Sequence, residues 1–343
     1  MWTRKGSSGL GQRRPDVLTR MSAVSVAVTV LNEADDIERL VTSLMGQTLR
    51  PAEVVIVDGG STDGTWEWLK EASNQYSNLL AIQDESCSLR NSPGPIARGR
   101  NVAVTAASSE VIATADGGCT YERRWLEQLT APILQRRAEY AVGGSCIDAQ
   151  ERTTWDVASA PFLGIKLSPD DPTKSCTARS MAFRKPLWKQ VGGFPEDVFL
   201  GEDTLFDARA RAAVTPAFPE GAKAHYRPKH TFQSAMKQIA RYAKTDGILA
   251  ARPARLLRNL ARCLAELVAV ALVSVSVIPL LCVLALETYF TFRLDWHSFP
   301  GKTSLRLLGA RLLFSLLVPW VVTWEHIAGL LTKTTNPNRQ NAV

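Results

Sequence analysis

The sequence contains no Cys-x-x-Cys pair, although it has six cysteines among its 343 residues. Pairs at that spacing are typical of zinc clusters, so their absence argues against a structural zinc site. The cysteines are also too widely scattered for the dense disulfide framework of a small secreted domain. We therefore expect reduced thiols in a cytosolic setting.

The amino-terminal end lacks the apolar segment that a secretory signal requires. Residues 1–21 are instead rich in glycine, serine and arginine, with five basic residues and one acid. Such a composition cannot bury enough apolar surface to form a packed structure. The sequence predicts a disordered basic tail over residues 1–21.

The middle of the chain has no excess of positive charge, although the formal net charge of the whole chain is +7. Residues 1–21 carry +4 and residues 251–343 carry +6, which leaves −3 for residues 22–250. A domain that binds nucleic acid usually presents a basic surface. The charge distribution therefore predicts no nucleic-acid partner.

Apolar runs alternate with helical patterns between residues 22 and 250. The predicted strands are residues 22–31, 53–58, 79–83, 111–115 and 140–146. Helices are predicted at residues 37–45, after a turn at 61–64, at 96–107 and at 122–137. This alternation is typical of an α/β fold with a mostly parallel sheet, in which ligands bind at the carboxyl ends of the strands.

Charged residues are missing from residues 267–286, a run of twenty residues that is long enough to cross a bilayer. Four basic residues precede it, and they favour the cytoplasmic side for the α/β domain; they are Arg252, Arg255, Arg258 and Arg262. A buried helix of a soluble domain is the alternative. A second apolar stretch at residues 312–324 resumes at 327–331, and it is either a weaker span or an interfacial helix.

The sequence thus predicts a membrane region over residues 251–343, with helices at about 264–290 and 305–331. The domain before it, residues 22–250, would lie on the cytoplasmic side of the inner membrane. Membrane lipid is accordingly a predicted partner.

Polar side chains follow the predicted strands at one edge of the sheet. They are Leu31-Asn32-Glu33, Asp58, Asp63, Arg98, Arg100 and Asp116. A carboxylate such as Asp58 can accept hydrogen bonds from a base or a ribose, and arginine can oppose the charge of a diphosphate. Turn formation or helix capping explains each residue taken alone. Their conjunction at matching strand ends predicts a nucleotide-binding edge.

Longer segments carry a family resemblance. The segment VSVAVTVLNEADDIERLVTSLMGQTLRPAEVVIVDGGSTDGT resembles the amino-terminal half of the family 2 glycosyltransferases, which have the GT-A fold. The likeness continues through ARGRNVAVTAASSEVIATADGG, VGGFPEDVFLGEDTLFDARAR and QIARYAKTDG. Within the family, the chain is most similar to membrane-associated bacterial exopolysaccharide enzymes of the succinoglycan type. The resemblance implies a GT-A domain over residues 22–250.

The resemblance also implies roles for individual residues. The loop Leu31–Glu33 and Asp58 would hold the nucleotide, and Asp116 would bind the diphosphate through Mg²⁺ or Mn²⁺. Asp203, next to Glu202, would be the general base. The stretch Gln238, Arg241 and Tyr242 is similar to the family motif Q-x-x-R-W, with tyrosine in place of tryptophan, and would lie near the acceptor and the leaving diphosphate. For Glu202 and Asp203, the alternative is a favourable interaction with a helix dipole; for Arg241, it is a place on the helix surface.

The chain departs from the family at the metal loop, where Asp-x-Asp is usual and Asp116-Gly117-Gly118 is present. A divalent cation can also take oxygen ligands from phosphates and water. His225 is a candidate second ligand, although a single histidine is more often structural.

The leading hypothesis is an inverting glycosyltransferase that uses a nucleoside-diphosphate sugar and a glycan or lipid-linked acceptor. A non-catalytic subunit that binds nucleotide sugars is the alternative, motivated by the missing carboxylate at the metal loop. A processive synthase is a third hypothesis, suggested by the Q-x-x-R-Y stretch.

Overall fold

The computed structural model describes residues 23–148, 152–165, 177–293 and 305–335. The predicted tail at residues 1–21 lies outside the described residues.

Nine strands occur in the described ranges of the chain. They are β1 (Val24–Val30), β2 (Glu53–Asp58), β3 (Leu79–Gln83), β4 (Val111–Asp116), β5 (Cys119–Tyr121), β6 (Tyr140–Val142), β7 (Gly144–Ile147), β8 (Met181–Arg184) and β9 (Lys223–Tyr226). The main sheet has the order β3-β2-β1-β4-β8-β6, and a smaller sheet has the order β5-β9-β7. The first four strands of the main sheet are parallel, and β8 is antiparallel to both its neighbours. The predicted α/β fold with a mostly parallel sheet is confirmed.

Helices cover both faces of the main sheet. The side chains of successive strand residues point to opposite faces, so each strand packs against both layers of helices. The described helices are α1 (Ile37–Met45), α2 (Thr65–Gln75), α3 (Pro95–Ala106), α4 (Trp125–Leu134), α5 (Thr154–Leu163), α6 (Lys185–Gln190), α7 (Glu202–Ala213), α8 (Phe232–Ile248), α9 (Pro253–Ala271), α10 (Ile278–Arg293) and α11 (Leu305–Thr335). Val26 and Val28 of β1 share a core cluster with Leu40 of α1. Ala27, between them, belongs to a second cluster that includes Val104 of α3.

The predicted strand at residues 140–146 is two strands that belong to different sheets. β6 pairs with β8 in the main sheet, whereas β7 pairs with β9 in the smaller one. Gly143 lies between them, and a Cβ atom there would be 2.2 Å from Ser180 Oγ and 2.6 Å from the carbonyl oxygen of Ala222. The chain passes from one sheet to the other at Gly143, where there is no room for a side chain.

The prediction of one helix over about residues 264–290 is wrong. α9 ends at Ala271 and α10 begins at Ile278, so the uncharged run at residues 267–286 is a helical hairpin. Pro279 explains part of the break, since proline fits the first turn of a helix and disrupts an interior. Ser276 supports the new start, because its Oγ accepts a hydrogen bond from the Ile278 amide at 3.2 Å.

The second predicted helix, about residues 305–331, lies within α11. By length and composition, it is the single helix in the described ranges that could cross a membrane. One side of α11 packs on α5 and α8, through a shared apolar cluster. The α11 members of that cluster are Ala310, Phe314, Val318 and Val322.

Candidate active site

Two cavities meet at the carboxyl edge of the main sheet. The first, of about 830 Å³, is lined by the loops that follow β1, β2 and β4. The second, of about 530 Å³, lies between α5 and the first turns of α7 and α9. Four residues line both cavities: Ile96, Arg100, Asp116 and Arg179. A ligand that fills both cavities must therefore pass these side chains.

The loop after β1 is fixed to the loop after β2 by hydrogen bonds. Asn32 donates its amide N–H to Ser61 Oγ at 2.8 Å, and its Oδ1 accepts from the Thr62 amide at 2.9 Å. Asp63 Oδ2 accepts from the Ala34 amide at 3.0 Å. Leu31, Asn32, Glu33 and Asp63 all line the first cavity, so the structure brings these predicted residues together.

Asp58 is completely buried at the end of β2 and does not line either cavity. Its Oδ1 accepts hydrogen bonds from the amides of Gly60 and Ser61, both at 2.9 Å. Its Oδ2 has no hydrogen-bond partner within the described part of the chain. Asp58 thus shapes the turn beside the cavity, and its contact with a nucleotide stays a prediction.

The two arginines of α3 occupy different environments. Arg98 donates to Ser86 Oγ at 2.8 Å and pairs with Glu196 at 3.2 Å, outside both cavities. The Arg100 side chain is 4% exposed and pairs with Asp116 at 2.6 Å and with Glu202. Burial alone would lower the pKa of Arg100, but these carboxylates raise it above its ordinary value. Arg100 is therefore a permanent buried cation, and the prediction that Arg98 faces the nucleotide is not supported by this geometry.

The neighbouring acids of α7 also separate. Glu202 is buried against Arg100, and burial raises its pKa despite the opposing effect of that arginine. Asp203 is half-buried and lines the second cavity. Its Oδ2 accepts from the Ala178 amide at 3.3 Å, and its Oδ1 accepts from the Thr204 amide at 2.7 Å. Both acids line the second cavity, but Glu202 is held there by its ion pair with Arg100, and the role of Asp203 as a general base stays a prediction.

Arg179 lies at the junction of the cavities and was not assigned a role from the sequence. Its Nε is 4.0 Å from Asp116 Oδ2 and has no hydrogen-bond partner among the described residues. The guanidinium carbon lies 4.1 Å from the ring centroid of Tyr226. The residue precedes β8, whose antiparallel pairing with β4 brings it to Asp116, and no local motif in the sequence reveals that pairing.

The predicted metal ligands do not come together. His225 contacts Glu122 Oε1 at 3.2 Å and Cys146 Sγ at 3.5 Å, and it lines neither cavity. The prediction that His225 joins Asp116 as a ligand is therefore not supported, because its ring is engaged on the smaller sheet. No group of three or more histidine, cysteine or acidic residues that could hold a metal occurs in the ranges that the structure describes.

A second carboxylate nevertheless lies beside the metal loop. A Cβ atom on Gly117 would be 2.6 Å from Glu33 Oε1, so the Glu33 side chain fills the space that a side chain at residue 117 would need. Burial, together with the charges of Asp36 and Asp116, raises the pKa of Glu33 to about 7. Glu33 and Asp116 supply hard oxygen donors to one cavity, which fits Mg²⁺ or Mn²⁺ if diphosphate oxygens and water complete the shell.

The Q-x-x-R-Y residues of α8 point in two directions. Gln238 donates to the Tyr242 hydroxyl at 3.0 Å and contacts His230 Nε2 at 2.5 Å, and Tyr242 lines the second cavity. Arg241 is exposed and lines neither cavity, as its alternative interpretation as a surface arginine requires.

The mixed, mostly parallel sheet with polar loops at its carboxyl edge is the arrangement expected of the GT-A fold. Residues 25–192, about half of the chain, match the family model Glycosyl transferase family 2, and this domain belongs to that family. The predicted resemblance is thus confirmed.

The chain is similar to the glycosyltransferase AglE of Haloferax volcanii, with 28% identity over 194 residues, 55% of this chain and 62% of that protein. It is similar to the succinoglycan biosynthesis protein ExoA of Rhizobium meliloti, with 30% identity over 207 residues, 57% of this chain and 59% of that protein. The chain therefore spans about three-fifths of the length of these two relatives. Among solved structures, S. aureus TarS 1-349 in complex with UDP has 21% identity and a TM-score of 0.47, covering 93% of this chain and 92% of that one.

Proposed function

We propose that the protein transfers a sugar, with inversion, from a nucleoside-diphosphate sugar to a hydroxyl group of a glycan or lipid-linked acceptor. The reaction would take place at the cytoplasmic face of the membrane. The observation that carries this proposal is the junction of two cavities at Arg100, Asp116 and Arg179. Asp203 lines the second cavity and not the first.

The donor occupies the first cavity, with its diphosphate at the junction. Arg179 faces this point with an Nε that has no hydrogen-bond partner among the described residues, and it supplies positive charge as the diphosphate leaves. Arg100 is bound to Asp116 and Glu202 through its two terminal nitrogens, and it positions Asp116. When bound at Glu33 and Asp116, a divalent cation would neutralise further charge on the diphosphate.

The acceptor occupies the second cavity, within reach of Asp203. The acceptor oxygen forms a bond to the anomeric carbon while the bond from that carbon to the diphosphate oxygen breaks. The Asp203 carboxylate takes the hydroxyl proton, and the nucleoside diphosphate leaves. A single base on the acceptor side is sufficient, because the nucleophile is the acceptor itself.

The test is a donor screen with the full chain, a panel of nucleoside-diphosphate sugars and membrane lipid extract. Release of nucleoside diphosphate that depends on the extract, with a mass increase of one sugar on a lipid or glycan, supports the proposal. Donor binding without release, under any combination of donor, acceptor and Mn²⁺, would contradict it. That outcome would favour the alternative of a non-catalytic subunit, which the absent carboxylate at residue 118 motivates.

A further inference from the structure

The uncharged run at residues 267–286 folds back on itself instead of forming one long helix. Arg262 of α9 pairs with Glu287 of α10 and so joins the two helices at the base of the hairpin. Arg262 also donates to the carbonyl oxygen of Ser315 on α11 at 2.8 Å. The hairpin is therefore polar at its base, where Arg262, Glu266 and Glu287 meet α11, and free of charge from residue 267 to residue 286, which include its turn.

The turn of the hairpin exposes large apolar side chains. Val275 is 82% exposed, Ile278 is 65% exposed and Leu281 is 58% exposed. Val270, Leu272, Val273 and Val277 are exposed beside them. A contiguous apolar surface of this kind marks a site of contact with a protein or a membrane.

Most of the backbone amides of the turn donate hydrogen bonds within their own segment. The amides of Leu272, Val273, Val275 and Ser276 donate to carbonyl oxygens within the same segment. The Ile278 amide donates to Ser276 Oγ. Because hydrocarbon offers no partner for a free amide, a turn closed in this way suits a lipid environment.

The hairpin is long enough to enter a bilayer and too short to cross it. From Glu266, the last charged residue of α9, to Leu272, the helix rises about 9 Å at about 1.5 Å per residue. The hydrocarbon core of a bilayer is about 30 Å thick. A hairpin with its charged base at the headgroups therefore ends within one leaflet.

The long helix α11 packs along α8, and α8 has a charged surface that is unfavourable in the hydrocarbon of a bilayer. The rings of Phe232 on α8 and Phe314 on α11 are 5.4 Å apart, and a Cβ atom on Gly247 of α8 would lie 3.0 Å from Gly329 Cα. The two contacts are separated by the same number of residues on α8 as on α11, and they occur in the same order. The two helices therefore run side by side in the same direction for about 22 Å.

Three exposed cations lie on α8 along this contact: Lys237, Arg241 and Lys244. If α11 crossed the bilayer, it would carry these charges into the hydrocarbon, which is strongly unfavourable. α11 is thus a helix of the catalytic domain in spite of its length and composition.

We propose that the protein attaches to one leaflet of an anionic bilayer by inserting the α9–α10 hairpin, and that neither the hairpin nor α11 crosses. Arg252 and Arg258, both exposed near the start of α9, would contact anionic headgroups. An exposed stripe on α11 that includes Trp320 and Trp324 would lie at the interface, which favours tryptophan. This inference rests on the membrane location proposed above, and it specifies which segment enters the bilayer and how deeply.

Cysteine labelling in sealed, inverted inner-membrane vesicles tests the topology. Single cysteines are introduced at Arg258→Cys, Val275→Cys, Arg306→Cys and Thr332→Cys, in the full chain with Cys176 and Cys282 replaced by serine. A membrane-impermeant maleimide should label the sites at 258, 306 and 332 without detergent, and the site at 275 only after detergent. Protection of the site at 306 would show that the hairpin crosses, and protection of the site at 332 would show that α11 crosses. Labelling of the site at 275 without detergent would show that the turn is not inserted.

Flotation with vesicles of equal parts phosphatidylglycerol and phosphatidylcholine tests the contact itself. The double variant Val275→Asp, Ile278→Asp should bind vesicles about tenfold less than the wild type, or weaker still. The control is Leu80→Asp, at an apolar side chain on β3 that is 41% exposed, and it should float like the wild type. Equal flotation of the double variant and the wild type would overturn the inference. So would a wild-type protein that is a dimer in solution when the double variant is a monomer, because the apolar surface would then be a dimer interface. Wild-type protein that floats but binds no nucleoside diphosphate would contradict the proposed function alone.

Discussion

Arg100 donates a hydrogen bond from Nη2 to Oδ1 of Asp116 at 2.6 Å. Its other terminal nitrogen pairs with Glu202, so one buried guanidinium joins the end of β4 to the start of α7. Asp116 lines both cavities, and Glu202 immediately precedes the proposed base. This ion-pair network therefore sets the distance between the donor side and the acceptor side of the site.

Replacing Arg100 should destabilise the fold as well as the site. Arg100→Met leaves two buried or half-buried carboxylates without their cation, which costs about 3–5 kcal/mol in the free energy of unfolding. Arg98→Met, at a side chain that is 41% exposed, should cost less than about 1 kcal/mol. Urea unfolding followed by circular dichroism measures both values. Equal effects of the two substitutions would contradict the network.

Replacing Arg179 should affect the diphosphate and leave the fold intact. Arg179→Gln should lower kcat by about 10²–10³-fold, since it removes charge stabilisation of the leaving group. Binding of the nucleoside diphosphate that the donor screen identifies should weaken, whereas binding of the corresponding monophosphate should change little, and calorimetry with both nucleotides measures the difference. The control is Arg124→Gln, at a side chain that is 63% exposed on the protein surface, and it should behave as wild type. A uniform loss of affinity for the diphosphate and the monophosphate would instead indicate a structural role for Arg179.

Metal binding should depend on Glu33 and Asp116 and not on His225. In the presence of the nucleoside diphosphate that the donor screen identifies, Glu33→Gln and Asp116→Asn should each weaken Mn²⁺ binding, because each removes a carboxylate ligand. His225→Ala should leave Mn²⁺ binding unchanged, since its ring contacts Glu122 and Cys146. Electron paramagnetic resonance of free Mn²⁺ measures all three. Weaker binding in the His225 variant alone would restore the prediction made from the sequence.

The sheet crossing at Gly143 should tolerate no side chain. Gly143→Ala places a Cβ atom against Ser180 Oγ and the carbonyl oxygen of Ala222, and should cost about 1–3 kcal/mol of stability. Gly309→Ala is the matched control, because a Cβ atom there meets nothing within 4 Å in the first turns of α11. Helix propensity should make that control neutral or more stable by up to about 1 kcal/mol. Thermal unfolding compares the two, and a stable Gly143 variant would contradict the close approach.

The parallel part of the sheet could be predicted because its strands are long apolar runs followed by polar loops. The first cavity was predictable for the same reason, since Leu31, Asn32, Glu33, Asp63 and Asp116 follow strand ends. The strands β8 and β9 were not predicted, because they are four residues long and pair with distant segments. Arg179 was missed with β8, since only that pairing brings it to Asp116.

The carboxyl-terminal region shows where composition is insufficient. An uncharged run of twenty residues is long enough for a helix that crosses a bilayer. Counting apolar residues does not detect the turn at residues 272–277. Likewise, α11 is apolar enough to cross, but its packing on α8 depends on tertiary contacts that periodicity does not encode.

The most direct test of the proposed reaction is the Asp203→Asn variant, assayed for transfer and for donor affinity in the same preparation. The amide keeps the size of the side chain but cannot accept the acceptor proton, so turnover should fall by about 10²–10⁴-fold. Donor affinity should stay within about twofold of the wild-type value, because Asp203 lines the second cavity and not the first. A variant that transfers sugar at the wild-type rate would show that Asp203 is not the base and would contradict the proposed mechanism.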